Sequence, residues 1–249
     1  MSFLYQSLLE GLRELGHDPQ LGHLIGVTLR LAFESTAIAV LVGLPLACVL
    51  GLGSSFASGW AMVVANAGLG LPAVAVGVYA RLLLTSPTLQ PPWGGAWLNS
   101  INGMVLVQTM IALPIVIALG AVAMRAVPNA LLDQARAFGA SRIRLALLAI
   151  RESRLGIATA IVVAFGSAIG EVGAITLIIG AAGPNETLAT QVIQDNFQSN
   201  RAGEVEHVLV LLALMAALGL ALALVRRADR RGHRRAATNR LLAATGARV

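Results

Sequence analysis

Two stretches of this chain carry polar residues where their placement could do chemistry. Glu171 lies inside a long apolar segment, within Gly170-Glu171-Val172-Gly173. A charge at the bilayer centre costs about 2.5–3.5 kcal/mol on insertion scales, so such residues face a bundle interior or an aqueous pathway. Two roles fit: a pathway or gate residue, or a buried glutamate joining helices through hydrogen bonds. The second stretch is the polar run Val127-Pro128-Asn129-Ala130-Leu131-Leu132-Asp133-Gln134-Ala135-Arg136-Ala137-Phe138-Gly139-Ala140-Ser141-Arg142, set between two apolar segments. Pro128 can open a helix, Gly139 can close it in a left-handed conformation, and Ser141 can cap another. A compact helix–turn–helix at a membrane surface is built to dock against something in the cytoplasm.

Catalytic chemistry is otherwise sparse. His17, His23, His207 and His233 fall outside the apolar segments, at no metal-ligand spacing. All eighteen basic residues are arginine, so a phosphate-cradling loop ending in Lys-Ser or Lys-Thr is impossible. An intramembrane protease needs a histidine or a carboxylate cluster within its spans, and Glu171 has no second carboxylate or histidine in its span. The expectation is a protein with no catalytic site, metal or cofactor of its own. Any uphill transport then draws energy from a partner ATPase or an ion gradient. Cys48 is the single cysteine, so an intrachain disulfide is excluded.

The elements that must position these residues follow from composition. Hydrophobic residues make up 57% of the 249, charged residues 12%, and the mean hydropathy is +0.77. A soluble domain carries about a quarter charged residues, so this chain is an integral membrane protein. Five apolar segments reach the roughly 20 residues that cross a bilayer as a helix. They are 31–52, 60–84, 104–122, 156–179 and 208–225, and none alternates as barrel strands do. The fold class is all-α, a polytopic helical bundle. Pro72 and Pro114 lie well inside the second and third spans and predict kinks. Gly166, Gly170 and Ala174 recur four apart and let a neighbouring helix approach closely. Ahead of the spans, residues 1–20 form an amphipathic segment with Leu4, Leu8, Leu12 and Leu15 on one face, suited to the membrane interface. The spanning domain covers 21–226 with its polar loop at about 126–154, and 227–249 is an arginine-rich tail expected to be frayed.

Charge orients the bundle. Arg125, Arg136, Arg142, Arg144, Arg151 and Arg154 surround the loop after the third span, and eight more arginines follow the fifth. The positive-inside rule makes that face cytoplasmic, which puts the N-terminus outside and the C-terminus inside. Topology accounts for this basic excess, so nucleic-acid binding is not expected. Trp60 lies at a span end, and Trp93 and Trp97 lie in the outer loop just before the third span, where aromatic belts form. Arg30 and Glu34 can pair across one helical turn, and Arg81 can reach the headgroups from the second span.

These residues resemble a known family. Asp133-Gln134-Ala135, three residues and then Gly139 is similar to the cytoplasmic Glu-Ala-Ala loop of bacterial ABC-importer permeases. Asp133 replaces the glutamate and Gln134 the first alanine, while Ala135 and Gly139 agree. Where the general motif ends in Leu-Pro, this chain has Arg151-Glu152-Ser153-Arg154-Leu155-Gly156, which resembles the permeases of tungstate importers. The runs from Ala164 to Ala174 and from Gly70 to Gly77 are similar to that branch and to molybdate permeases. The resemblance covers roughly residues 20 to 225.

It implies an inner-membrane homodimer with two cytoplasmic ATP-binding subunits docked on the loops through Leu132, Asp133, Ala135, Phe138 and Gly139. It also implies an extracytoplasmic binding protein, alternating access, and a pathway or gate at Gly170, Glu171 and Gly173. The implied cargo is a small oxyanion, tungstate first, with molybdate, sulfate or another small solute as alternatives. Donors suited to an oxyanion are few within the spans (Asn66, Gln108, Thr109, Ser167, Thr176), which fits selectivity residing in the binding protein. A secondary transporter is the rival class, but five spans do not halve into inverted repeats.

Overall fold

The computed structural model describes residues 20–53, 56–88, 91–92, 94–179 and 186–246. The expected interfacial segment at 1–20 lies almost wholly outside the described residues. Among the described residues the chain is helical, without strands. Its elements are α1 (Leu21–Leu52), α2 (Phe56–Leu69), α3 (Ala73–Thr85), α4 (Gly94–Trp97), α5 (Ile101–Arg125), α6 (Asn129–Ala137), α7 (Arg142–Glu152), α8 (Arg154–Ile169), α9 (Gly173–Ile179), α10 (Leu188–Phe197) and α11 (Arg201–Gly246). Three helices are long and apolar enough to cross a membrane: α1, α5 and the Gly203–Arg227 part of α11. Two further apolar helix pairs are bent, each a broken span or a re-entrant loop: α2 with α3 turns through 105°, and α8 with α9 through 53°. Counting each pair as one crossing gives the five spans expected from hydropathy.

Proline chemistry differs between two sites that look alike in sequence. At Pro72 the chain breaks: Pro72 sits at the N-cap of α3 with ψ 123°, following Gly70 and Leu71. Pro114 breaks nothing, because α5 runs through it. Pro114 has a close neighbour in α2. Gly68 packs against Pro114 so closely that a Cβ there would come within 2.6 Å of the proline Cβ. Neighbouring helices thus hold the second proline inside a continuous rod.

Element ends also depart from the hydropathy reading. α1 begins ten residues earlier than its apolar run, because its first turns have a partner. Leu21 and Leu24 bury against Leu188, and the Thr28 hydroxyl accepts the Leu188 amide at 2.9 Å. The fourth span is not one helix but two, interrupted at Gly170, Glu171 and Val172. Beyond Arg226 the expected frayed tail continues as the helical backbone of α11 to Gly246.

α5 is the central post, lying against α1, α2 and α8. The main apolar core joins Leu31 of α1, Ala80 and Leu84 of α3, Met104 and Val107 of α5, and Ala174, Ile175 and Ile178 of α9. At the end away from the polar loop, α10 and the start of α11 form a helical hairpin. A reciprocal cap between Thr187 and Thr190 opens α10. Within that hairpin Asp195 and His207, both buried, meet at 2.7 Å. Histidine spacing in the sequence gives no hint of this pair, because its partners are twelve residues apart on different helices.

Candidate functional site

The polar loop folds as a pair of short helices with a defined corner. Pro128, at φ −59° and ψ 128°, starts α6, where its missing N–H is one of the groups a helix leaves unpaired anyway. Gly139 ends it with φ +76°. Its amide donates to Arg136 O at 2.9 Å, and the Ala140 amide reaches back to Ala135 O at 3.0 Å. These are the two bonds of a Schellman ending, and its left-handed residue is most easily a glycine. Ser141 then caps α7, its hydroxyl accepting from the Arg144 amide at 3.4 Å.

The loop carries its own small core. Leu132, Val127, Leu145 and Ala149 are buried together, with Ala135 and Leu131 packed beside them. The resemblance implies that Leu132 touches the ATPase, but its side chain is turned inward with 5% exposure. Its contribution is to hold α6 on α7. Phe138 is the opposite case, 91% exposed at the corner beside Gly139. Asp133 pairs with Arg136 at 2.6 Å on the solvated side of α6. Ile143 and Leu147, one turn apart on α7, are also exposed, although nothing in their sequence context marks them for contact. Near the loop, a cavity of about 510 Å³ is lined by Pro128 and by the whole Arg151-Glu152-Ser153-Arg154-Leu155-Gly156 motif. Arg125 at the end of α5 donates to Leu50 O at 3.2 Å, tying two span ends together there.

The second candidate region is the break in the fourth span. Glu171 Oε1 accepts the Ala174 amide at 2.8 Å, so the carboxylate caps the first turn of α9. This placement beside free helical amides, which carry partial positive charge, offsets part of the cost of a carboxylate at depth. The break does not stand alone. A Cβ on Gly173 would come within 2.8 Å of Val74, and one on Gly77 within 2.7 Å of the Ala174 backbone. The first turns of α3 and α9 therefore meet, and the two interrupted spans cross at their interruptions. Gly170 instead faces Met215 of α11, so the stripe of small residues serves two different neighbours.

Arg81 and Gln108 have structural partners. Arg81 Nη1 donates to Leu177 O at 2.8 Å, which ties α3 to the last turn of α9. Arg30 and Glu34 make the expected one-turn pair at 2.7 Å. Gln108, 2% exposed, donates to Ala168 O at 3.0 Å and lies 3.3 Å from the Ser35 hydroxyl. It is thus engaged by α1 and α8 rather than offered to a solute.

Residues 43–232 match the family described as the binding-protein-dependent transport system inner membrane component. The chain belongs to that family. It is the permease, the membrane-spanning transport component, of an ABC importer. The permease is 32% identical over 213 residues to a protein of Haloferax volcanii named as a probable anion ABC transporter permease. That match covers 82% of this chain and 89% of the relative. Its fold is similar to a chain in two inward-facing structures of the MetNI methionine ABC transporter, at TM-scores of 0.70 and 0.66 and 16% identity. These matches cover 85% and 84% of the permease, and 98% and 95% of the matched chains. The family implies ATP-binding subunits and a substrate-binding protein as partners.

Proposed function

We propose that this permease imports a small oxyanion, tungstate foremost, as a homodimer that receives its cargo from an extracytoplasmic binding protein. In this reading an ATP-binding subunit docks on each α6–α7 corner, and the crossing of the two broken spans forms the gate. The observation that carries the docking assignment is the corner itself. A Schellman ending at Gly139 rigidly presents Phe138, a large apolar side chain left in the open, at the tip of an element with its own core. Exposed apolar groups on a preorganised element mark interaction sites. The sequence has no lysine and so no phosphate loop of the Lys-Ser or Lys-Thr type, which fits closure driven through such a contact. Support for an anion comes from the Haloferax relative's name and from the Arg151–Gly156 motif. Molybdate and sulfate remain the competing cargoes, because a tetrahedral dianion presents the same shape and charge in each.

The test is uptake into proteoliposomes holding the permease with its cognate ATP-binding subunit and binding protein. Tungstate should accumulate in an ATP-dependent manner, with molybdate and sulfate competing more weakly. Accumulation of an uncharged or cationic solute with no oxyanion uptake would overturn the assignment.

A further inference from the structure

Gln108 is a primary amide buried within a membrane span, where an unbonded polar group is expensive. Its amide nitrogen lies 3.0 Å from the Ala168 carbonyl, two residues before Gly170. In an unbroken helix that carbonyl would accept the Val172 amide. At the break its partners from neighbouring residues are weak, the Glu171 amide at a long 3.4 Å and the Gly170 amide that it shares with Gly166 O. Gln108 therefore supplies from α5 the stronger donor that the interruption takes away. Its carbonyl end is also placed, 3.3 Å from the Ser35 hydroxyl of α1, and Thr109 lies 3.5 Å from Ser35 O. Three spans thus meet on one side chain at the edge of the break.

The same helix leads to the polar loop. From Gln108 to Arg125, α5 is continuous for roughly 25 Å at 1.5 Å per residue. Three residues beyond Arg125, Pro128 opens α6. α5 thus connects the α6–α7 corner to the Ala168 carbonyl through Gln108, beside the covalent route through α8, which follows α7 directly.

We propose that Gln108 is a positioning residue that sets the geometry of the fourth-span break and transmits movement of the α6–α7 corner to it. This inference rests on the reading of that corner as the ATPase dock. Glu171 holds the α9 side of the break, and Gln108 holds the α8 side. Losing the amide would let the Ala168 carbonyl seek another donor, so the break would no longer follow α5.

The experiment uses the assembled transporter carrying Cys48→Ala and Val172→Cys, so that a water-soluble maleimide reports on the break with and without ATP analogue. Gln108→Met keeps the volume and removes the hydrogen bond. The ATPase should still co-purify, and the thermal transition should fall by no more than the loss of one buried hydrogen bond accounts for. The nucleotide-dependent change in labelling rate should shrink by about tenfold, the scale of one buried hydrogen bond, and transport should fall with it. Gln108→Asn, whose amide is too short to reach, is read the same way if the methionine variant does not assemble. Nucleotide-dependent labelling and transport equal to the parent would overturn the proposal. Gly139→Val run alongside separates the two ideas. Normal ATPase association in that variant defeats the docking assignment, whereas loss of association there with parental behaviour in Gln108→Met defeats only the role given to Gln108.

Discussion

At the scale of single residues, the buried polar groups here act mostly on backbone. Glu171 caps α9 through its Oε1, and a glutamine at that position offers an amide oxygen of the same reach. Glu171→Gln should therefore leave the assembled protein's thermal transition nearly unchanged. If the carboxylate charge takes part in gating, substrate-stimulated ATP hydrolysis should drop in that variant, and parental transport with parental stimulation would assign it to scaffold. Thr28 gives a sharper stability expectation. Its hydroxyl accepts the Leu188 amide at 2.9 Å while donating to Leu24 O at 2.8 Å, all of it buried. Thr28→Val keeps the shape and strands that amide, at a cost of about 1–3 kcal/mol. Thermal unfolding in detergent should show the loss, and an unchanged midpoint would mean that water or another group replaces the acceptor.

The element that matters most is the α6–α7 corner, whose two halves separate by experiment. Gly139 has open space where a Cβ would stand, so the obstacle to substitution is its positive φ rather than a clash. A branched residue there costs about 1–2 kcal/mol in backbone strain and projects into the surface beside Phe138. Gly139→Val should insert into the membrane normally, lose most ATPase co-purification and abolish transport. Phe138→Ala should weaken association without loosening the corner, because its side chain touches little of the permease. Leu132→Ala should do the reverse, opening the loop core and raising its protease sensitivity before it affects the membrane spans. Equal effects of Phe138→Ala and Leu132→Ala on loop proteolysis would mean that exposure does not separate their roles.

At the scale of the whole molecule, the arginine asymmetry together with a five-crossing map makes a testable claim about orientation. A reporter active only outside the cytoplasm should be silent when fused after Val249 and active when inserted near Gly94. Reversed signals would place the α6–α7 corner outside, where no ATPase could reach it. The apolar window of α11 is unburied within this chain, as expected of a helix that meets lipid or a second copy.

Much of this was legible from residue order alone. Membrane class and helical architecture follow from hydropathy, because a bilayer forces each crossing to satisfy its own backbone and so leaves a long apolar run. The corner at Gly139 was equally legible, since its caps depend on residues within a few positions of one another. Tertiary structure alone decided that Pro72 breaks a helix while Pro114 does not, that α1 starts at Leu21, and that Leu132 faces inward. It also brought Asp195 to His207 and Gln108 to the Ala168 carbonyl across distant parts of the chain. Hydropathy averages over a window, so it passes smoothly through Gly170-Glu171-Val172 and sees one span. The helix nonetheless breaks there because a donor from another helix, Gln108, and a capping carboxylate at the break, Glu171, satisfy backbone groups that the interruption frees.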